Sequence, residues 1–508
     1  MNLLFSTSIF SFFTIISRIL GYIRDILIAI FLGASIFADA FFVAFRLPNT
    51  FRRLFAEGTF NAAFIPSYTS AKLKSKKSGR LFADDVLSFL FLILTFIVTL
   101  AEIFTPYLIY LIAPGFAGDD VKFNLAVELT RITFPFLLFV SLSSFFSGIL
   151  NSNNKFAAAS AAPIILNVVL ILSIFLSYLQ DFNIAKQLSY GVTMAGILQL
   201  IFLIYFTLKF YKPKLKFNFK VNNRVKFFFK KLLPSIFSSG VTQINILVGT
   251  IIASFQSGAV SYLYYADRVY QINLAIAGIA VGTVSLPVLS KALKTKNFSQ
   301  VSNIQNNSIQ LSLLFSIPAS LGLIIASEEI VNGLFGYGSF SSNDVKLTAF
   351  ALMYFGYGIV AFSLVKILSN FFFARDNTKI PFYISSFIVL LNIIISVTFF
   401  NQVGFLIIPI ATSFSTWVGV FIFIYHLNKN NLLLLQKKLF YNIIKIIFSS
   451  IIMSILLLFT IGKYSSFLDY SYIYKSIYLL IIVGFVGAVY LLSCYLLGLL
   501  KINNYRTN

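Results

Sequence analysis

The sequence predicts an all-α polytopic membrane protein with about fourteen transmembrane helices. Of its 508 residues, 58% are hydrophobic and 11% are charged, whereas a soluble domain carries about 25% charged residues. Apolar runs recur along the whole chain, and a run of about 20 residues can cross a hydrocarbon layer about 30 Å thick. Because a backbone in lipid must satisfy its own hydrogen bonds, these runs are predicted to be helices.

Polar breaks between the apolar runs define fourteen predicted spans. Their boundaries are 5–33, 37–67, 83–112, 128–150, 158–179, 187–209, 232–254, 260–290, 308–327, 346–373, 380–400, 404–426, 440–462 and 475–500. The second run is too long for one straight span, and Pro48, Gly58 and Pro66 are predicted to bend it.

Loop charge predicts the orientation of the spans. Loops that follow even-numbered spans are basic, most clearly the stretch 209–231, whereas the intervening loops carry acidic residues such as Asp119 and Asp181. Since basic loops stay in the cytoplasm, both termini are predicted to be cytoplasmic. The net charge of +23 is thus explained by basic loops that set the membrane orientation. A binding patch for nucleic acid is not indicated.

The long basic stretch also divides the chain into predicted domains. These are an N-terminal six-helix lobe over 1–210, a basic cytoplasmic linker over 211–231, a C-terminal six-helix lobe over 232–430, and two extra helices over 431–508. A weak internal sequence repeat, in which Ala38-Asp39 recurs as Ala266-Asp267, agrees with a repeated structural unit. Two similar lobes suit a transporter that rocks about a central site.

Ionisable residues inside the apolar runs are the most informative, because each mid-membrane charge costs about 2.5–3.5 kcal/mol. Six arginines and four carboxylates lie in spans one, two and eight: Arg18, Arg24, Arg46, Arg52, Arg53 and Arg268, with Asp25, Asp39, Glu57 and Asp267. The surplus of about two positive charges matches the charge of a pyrophosphate diester, and arginine suits bidentate phosphate contact. We therefore predict a watery cavity that binds a diphosphate head group.

Structural and coupling alternatives exist for several of these charges. An arginine inside a span can snorkel or close an internal ion pair, and Arg46, Arg53 and Glu57 lie toward the cytoplasmic end of their run. Asp39 could take up a proton during transport. The surplus cavity charge could instead respond to the membrane potential, worth about 2.3 kcal/mol per charge at 100 mV.

Three segments of the first two spans carry a recognisable pattern. They are Ser17-Arg18-Ile-Leu-Gly21-Tyr-Ile-Arg24-Asp25, Ala38-Asp39-Ala-Phe-Phe-Val-Ala-Phe-Arg46-Leu-Pro48-Asn49, and Arg52-Arg53-Leu-Phe-Ala-Glu57-Gly58. With shorter segments at 113–116, 132–135, 264–268 and 334–338, the chain resembles the MurJ/MviN lipid II flippases of the multidrug/oligosaccharidyl-lipid/polysaccharide exporter superfamily. One departure follows Arg268, where the family often places a proline and this chain reads Gln271-Ile-Asn273.

The resemblance implies a lipid II flippase in the bacterial cytoplasmic (inner) membrane. Such a transporter, which is not an enzyme, moves the undecaprenyl-pyrophosphate-linked peptidoglycan precursor from the cytoplasmic to the periplasmic leaflet by alternating access. Its implied partners are lipid II, membrane lipids and the cell-wall synthesis machinery, and no cofactor is implied. The last two helices would form a hydrophobic groove for the polyprenyl tail.

The resemblance also implies roles for individual residues. The implied substrate-binding residues are Arg18, Arg24, Arg52, Arg268, Asp25 and Asn49, and the implied gating or coupling residues are Asp39, Glu57 and Asp267. A sodium site would need a carboxylate, and spans seven, eleven and twelve contain none. We therefore predict no bound metal.

Three other functions stay open at this point. A flippase for another polyprenyl-linked oligosaccharide, of the O-antigen or capsule type, would share the fold and the charge pattern. A multidrug exporter is disfavoured because surplus arginine would repel cationic drugs. A membrane glycosyltransferase is disfavoured because its acidic positions usually lie in a sizeable loop, whereas the acidic doublets at 84–85, 119–120 and 328–329 lie at span ends or in short loops.

Overall fold

The computed structural model describes residues 3–56, 59–216 and 243–500, together with Phe228 and Lys230. These residues form a succession of α-helices joined by turns, which confirms the predicted all-α class. The chain divides into two compact units, Met1–Ser261 and Tyr262–Asn508. The predicted lobe boundary at 211–231 lies within the first of these units and stays a prediction.

The first unit is built from long helices that pack side by side. Its helices are α1 Leu3–Leu32, α2 Ile36–Ala56, α3 Thr59–Lys74, α4 Lys76–Ile103, α5 Thr105–Ile112, α6 Asp120–Thr133, α7 Phe136–Ser152, α8 Phe156–Gln180, α9 Ile184–Thr207 and α10 Gln243–Ala253, and α11 Ala259–Leu274 begins there. The predicted span 37–67 corresponds to two helices, α2 and α3. Pro48 and Pro66 lie inside them, and Glu57 and Gly58 lie outside the described residues.

The second unit continues the same architecture. It contains most of α11, a π-helical turn at Ala275–Ala280, and then α12 Val281–Lys294, α13 Phe298–Ile325, α14 Ser327–Phe335, α15 Ser342–Phe373, α16 Lys379–Val403, α17 Ile407–Lys429, α18 Lys437–Lys463 and α19 Lys475–Leu496. The π turn lies within predicted span eight. A π turn is a known cause of helix kinks, so this span has a bend site that does not depend on proline.

Within the described ranges, ten helical stretches are long and apolar enough to cross a membrane. One of them, Lys379–Lys429, contains both α16 and α17, which are separated at Gly404 with a φ of 71°. The remaining predicted spans are one, two and seven. Spans one and two are charged, and α10 is the described part of span seven. About fourteen transmembrane helices therefore describe this fold.

Aromatic side chains fill the core of the first unit. Phe64 of α3 is fully buried, and its ring lies 5.1 Å from that of Phe145 on α7 and 6.0 Å from that of Phe82 on α4. Aromatic pairs at these distances stabilise a core beyond their buried area. Phenylalanine side chains thus pack between helices in the core, and others lie exposed on the surface.

The extended segment 211–216 docks on α4. The hydroxyl of Tyr211 donates to Oδ1 of Asp84 over 2.6 Å, and the backbone N–H of Lys216 donates to Oγ of Ser88 over 2.8 Å. Burial and the bond to Asp84 raise the pKa of the Tyr211 phenol well above its ordinary value. The first residues after α9 are therefore fixed to the first unit.

The α18–α19 hairpin is anchored within the second unit through Lys475. Its buried ammonium donates to the carbonyl oxygens of Gly336 and Tyr470, each over 2.6 Å, and lies 4.2 Å from the ring centroid of Tyr337. Gly336 and Tyr337 belong to the 334–338 segment noted in the sequence. This segment holds the last two helices against the rest of the second unit.

Gly115 makes a close backbone contact, so adding a single methyl group at this position is predicted to lower the stability of the protein. Its N–H donates to Oγ of Ser254 over 3.0 Å, and a Cβ at Gly115 would overlap the backbone of Ser254 and Phe255. We expect Gly115→Ala to lower the free energy of unfolding by about 1–3 kcal/mol, because a packed backbone cannot move aside cheaply. Thermal unfolding in detergent micelles measures this effect.

Gly118 provides the matched control, since a Cβ there would meet no atom within 4 Å. Gly118→Ala should therefore unfold at the temperature of the wild-type protein. Equal melting temperatures for the two variants would contradict the close contact at Gly115.

Candidate functional site

Arg24 is held by residues of two helices. Its Nε and Nη2 atoms donate to Oδ1 of Asp25 over 3.0 and 2.6 Å, and its Nη1 donates to Oδ1 of Asn167 on α8 over 2.9 Å. Arg24 and Asp25 are both buried. The pair therefore combines charge with directional bonds, which a buried ion pair requires.

Asn167 was not among the residues identified from the sequence. Its Nδ2 donates to the backbone carbonyl of Ser17 on α1 over 2.8 Å, while its Oδ1 accepts from Arg24. It thus connects α8 to two places on α1, one turn before and one turn after Gly21. The available signal was a lone amide in the middle of the apolar run 158–179, where an unpaired polar group is costly.

The contacts of Arg24 leave part of its bonding capacity for a ligand. Within the described residues they use three of the five N–H groups that a guanidinium carries. The pairing with Asp25 matches the internal-ion-pair alternative for this arginine, and the two remaining N–H groups allow a further anionic contact. Arg24 can therefore hold an internal ion pair and still bind an anionic ligand.

Asp39 is completely buried, and its carboxylate accepts from four donors. Oδ2 lies 2.7 Å from Nζ of Lys122 and 2.9 Å from the N–H of Gly258, and Oδ1 lies 2.9 Å from the N–H and 2.6 Å from the hydroxyl of Ser261. All four contacts donate to the carboxylate, as an ionised group requires.

The contacts to Gly258 and Ser261 make Asp39 a cap for a neighbouring helix. Helix α11 begins at Ala259, so both N–H groups belong to its unsatisfied N-terminal end. A carboxylate at this position also interacts favourably with the helix dipole. Asp39 on α2 therefore fixes the first turn of α11.

Lys122 is a second residue that the sequence interpretation missed. It lies in the first turn of α6, and its ammonium is 2.7 Å from Asp39 and 4.2 Å from the ring centroid of Phe116. The sequence signal that could have identified it was a lysine two residues after the acidic doublet at 119–120, shortly before the predicted span 128–150. In the sequence that doublet indicates only an acidic loop.

The remaining predicted residues of the first unit lie on α1 and α2. The Nε of Arg52 donates to Oδ1 of Asn49 over 2.9 Å, one turn earlier on the same helix. Arg18 is exposed on α1, and Arg46 is half-buried on α2. Glu57 lies outside the described residues.

Arg268 lies on α11 in the second unit. Its guanidinium carbon is 4.7 Å from the ring centroid of Tyr264, and its Nη2 donates to the Tyr264 hydroxyl over 2.7 Å. The carboxylate of Asp267, the residue that precedes Arg268, accepts a hydrogen bond from the side-chain amide of Gln271. Stacking on an aromatic face orients the guanidinium plane without neutralising its charge.

The structure thus shows two contacts between predicted residues and residues that were not predicted. Arg24, which pairs with Asp25, also contacts Asn167, and Asp39 contacts Lys122. Convergence of the arginines of the two units on one chamber stays a prediction. In the part of the chain that the structure describes, no three His, Cys, Asp or Glu side chains are grouped so that they could hold a metal ion.

Known proteins resemble this chain over nearly its full length. A family model described as "Lipid II flippase MurJ" matches residues 28–479. A probable lipid II flippase MurJ of Rickettsia prowazekii is 38% identical over 504 residues, covering 97% of this chain and 98% of the relative.

Solved structures agree with the sequence match. A structure of the lipid II flippase MurJ in an inward closed conformation superposes with a TM-score of 0.81 at 29% identity, covering 96% of this chain and 98% of that one. An inward-facing multidrug resistance MATE transporter of the MOP superfamily shares the fold at 13% identity, with a TM-score of 0.66 and coverage of 82% and 95%. The family model and the Rickettsia relative together show that this chain belongs to the lipid II flippase MurJ family of multi-pass membrane proteins.

Proposed function

We propose that this chain moves lipid II from the cytoplasmic to the periplasmic leaflet of the bacterial inner membrane by alternating access. The observation that carries the proposal is the family match across residues 28–479, which include Asp39, Arg52 and Arg268. A transporter of this kind forms and breaks no covalent bond, so we assign the protein no enzymatic activity.

The diphosphate of lipid II is the part of the substrate that the charged residues suit. In this proposal the head group contacts Arg18, Arg24, Arg52 and Arg268, with Asp25 and Asn49 orienting the arginines. Arginine offers paired N–H donors that match phosphate oxygens. The bonds from Asp25 to Arg24 and from Asn49 to Arg52 support the orienting role.

The charge balance of the predicted ionisable residues, taken together with Lys122, supports an anionic substrate more strongly than the sequence count did. Because Lys122 lies 2.7 Å from Asp39, that carboxylate has its own cation and does not offset an arginine. Adding Lys122 to the six arginines gives seven cations against four carboxylates, a surplus of three instead of two. A diphosphate diester would neutralise most of this surplus.

Asp39, Glu57 and Asp267 are proposed to take part in gating or coupling. For Asp39 the support is its cap on the first turn of α11, a contact that can form in one state and open in another. The same carboxylate is paired with the ammonium of Lys122. An ion pair combined with a helix cap makes Asp39 a candidate gate residue.

The predicted domains complete the proposal. Residues 1–210 and 232–430 would form the two lobes, with the linker 211–231 and both termini in the cytoplasm, and 431–508 would bind the polyprenyl tail. Exposed apolar side chains along α18 and α19 support the tail site, among them Ile444, Ile455, Leu458, Leu480 and Ile481. We also propose contact with the cell-wall synthesis machinery, which co-purification would test.

Complementation tests the proposed function directly. Expression of this chain in bacteria depleted of their own precursor flippase should restore growth and the appearance of lipid II in the outer leaflet. The matched control carries Arg24→Gln and Arg268→Gln together and should restore neither. If the wild-type chain is present in the membrane and outward-facing lipid II does not appear, the proposal is wrong. Rescue of an O-antigen flippase mutant alone would favour that alternative substrate.

A further inference from the structure

Lys122 occupies a place where a lysine is unfavourable unless it has a specific partner. It lies in the first turn of α6, where the helix dipole disfavours a cation, and its own backbone N–H donates to the capping carboxylate of Asp119 over 3.1 Å. Its side chain is only 6% exposed. A buried ammonium is tolerated when it is paired with an anion.

Asp39 is the partner that Lys122 meets. The side chain of Asp39 is fully buried, and the other three donors described in contact with it, from Gly258 and Ser261, are neutral. Lys122 therefore supplies the full positive charge that compensates this carboxylate. The Phe116 ring, 4.2 Å from the ammonium, limits the positions that the lysine head can take.

We propose that Lys122 is a positioning residue for transport, which fixes the Asp39 carboxylate in the geometry that holds the N-terminus of α11. The proposal rests on the proposed flippase function, because α11 also carries Arg268. Lys122 itself contacts no substrate in this scheme. It acts through Asp39, and Asp39 acts through the first turn of α11.

Loss of the lysine should release that turn. Without Lys122 the carboxylate would stay buried with neutral donors alone, and water would have to enter to solvate it. Entry of water should move Oδ2 away from Gly258, because this one oxygen binds both the lysine and the N–H of Gly258. Since Oδ1 belongs to the same rigid carboxylate, its contacts with Ser261 should loosen with it. Helix α11 would then lose its cap.

The first test measures the release of α11 without any substrate. A single cysteine is placed at Val260, a buried position in the first turn of α11, in a background where the one native cysteine, Cys494, is replaced by alanine. The purified protein in detergent micelles is labelled with a water-soluble maleimide. We expect Lys122→Met to raise the labelling rate about fivefold or more, since a capped helix end protects its first turn.

The second test measures lipid II translocation in proteoliposomes with the same substitution. We expect Lys122→Met to lower the rate about tenfold or more, whereas Lys122→Arg, which keeps the charge, should stay within about threefold of wild type. Lys186→Met is the matched control, because Lys186 pairs with Glu128 on the surface and exposed pairs contribute little. It should change both readouts less than about twofold.

A third variant keeps the proposal testable if Lys122→Met fails to fold. Asp39→Asn with Lys122→Met removes both charges, so no buried charge is left unpaired. If Lys122 acts through Asp39, the double variant should transport no more slowly than Asp39→Asn alone. Losses that multiply would show an independent role for Lys122 and overturn the proposal.

Unchanged labelling and transport in folded Lys122→Met protein would also overturn it. Because the labelling assay contains no lipid II, its result stands even if the wild-type chain fails to translocate that lipid. Failure of the proposed function and failure of the Lys122 proposal are therefore distinguishable.

Discussion

Arg24→Gln should abolish lipid II translocation, with a fall in rate of about hundredfold or more. The substitution removes the guanidinium, and the loss of two charge-assisted hydrogen bonds of about 1.5–3 kcal/mol each accounts for a change of this size. Translocation by purified protein in proteoliposomes, with equal amounts of folded variant and wild type, measures the effect. Arg80→Gln, at an exposed position of α4, is the control and should stay within about twofold.

Arg24→Gln also leaves Asp25 buried without its cation, so stability must be separated from substrate binding. Breaking a buried pair by removing one partner costs about 3–5 kcal/mol, and the single variant should unfold at a clearly lower temperature. Arg24→Gln with Asp25→Asn removes both charges and should recover most of that stability. It should not recover transport. Wild-type transport in this double variant would show that Arg24 serves only the internal ion pair.

The fold class and most helix positions could be predicted because they depend on local composition. Apolar runs bounded by polar residues locate α8, α9 and α15 directly, since the membrane requires each run to be long, apolar and helical. Helix ends were harder to place. The run 83–112 divides at Phe104 into α4 and α5, and the π turn at Ala275–Ala280 leaves no mark in the apolar pattern.

Partners of the charged residues could not be predicted, because they depend on how helices pack. Asn167 lies 143 positions after Arg24, and Lys122 lies 83 positions after Asp39. Hydrophobic periodicity shows which positions face away from lipid, but it does not show which two helices meet or in what register. The costly charges were therefore found from the sequence, while the groups that compensate two of them were found only from the structure.

This difference changes the electrostatic interpretation of the site. The sequence count treated Asp39 as a charge that offsets an arginine, whereas its ion pair with Lys122 assigns it to the α11 cap. Asp25 shows the opposite case, since it neutralises Arg24 directly. Two carboxylates that look equivalent in the sequence thus have separate physical roles, one at a helix end and one on a guanidinium.

Arg268→Gln is the second substitution for which we expect transport to fall about hundredfold or more, since the variant loses both the charge and the paired donors that a diphosphate requires. Arg268→Lys keeps the charge but has no planar head group that could stack over the face of the Tyr264 ring or bind two oxygens in parallel. We expect it to retain about one tenth of the wild-type rate at most. Translocation in proteoliposomes, with thermal unfolding as a check on folding, provides both measurements.

Tyr264 supplies the comparison that separates orientation from charge. Tyr264→Phe removes the hydroxyl that accepts from Arg268 over 2.7 Å but keeps the ring 4.7 Å from the guanidinium. Transport should therefore fall about tenfold, as for one hydrogen bond to a charged group. Tyr264→Leu also removes the ring and should cost more, because a desolvated cation–π contact contributes up to about 2 kcal/mol. If Arg268→Gln and Arg24→Gln were both fully active, arginine recognition of a diphosphate would have no support in this protein. Activity of Arg268→Lys equal to wild type would instead show that a point charge is sufficient at this position.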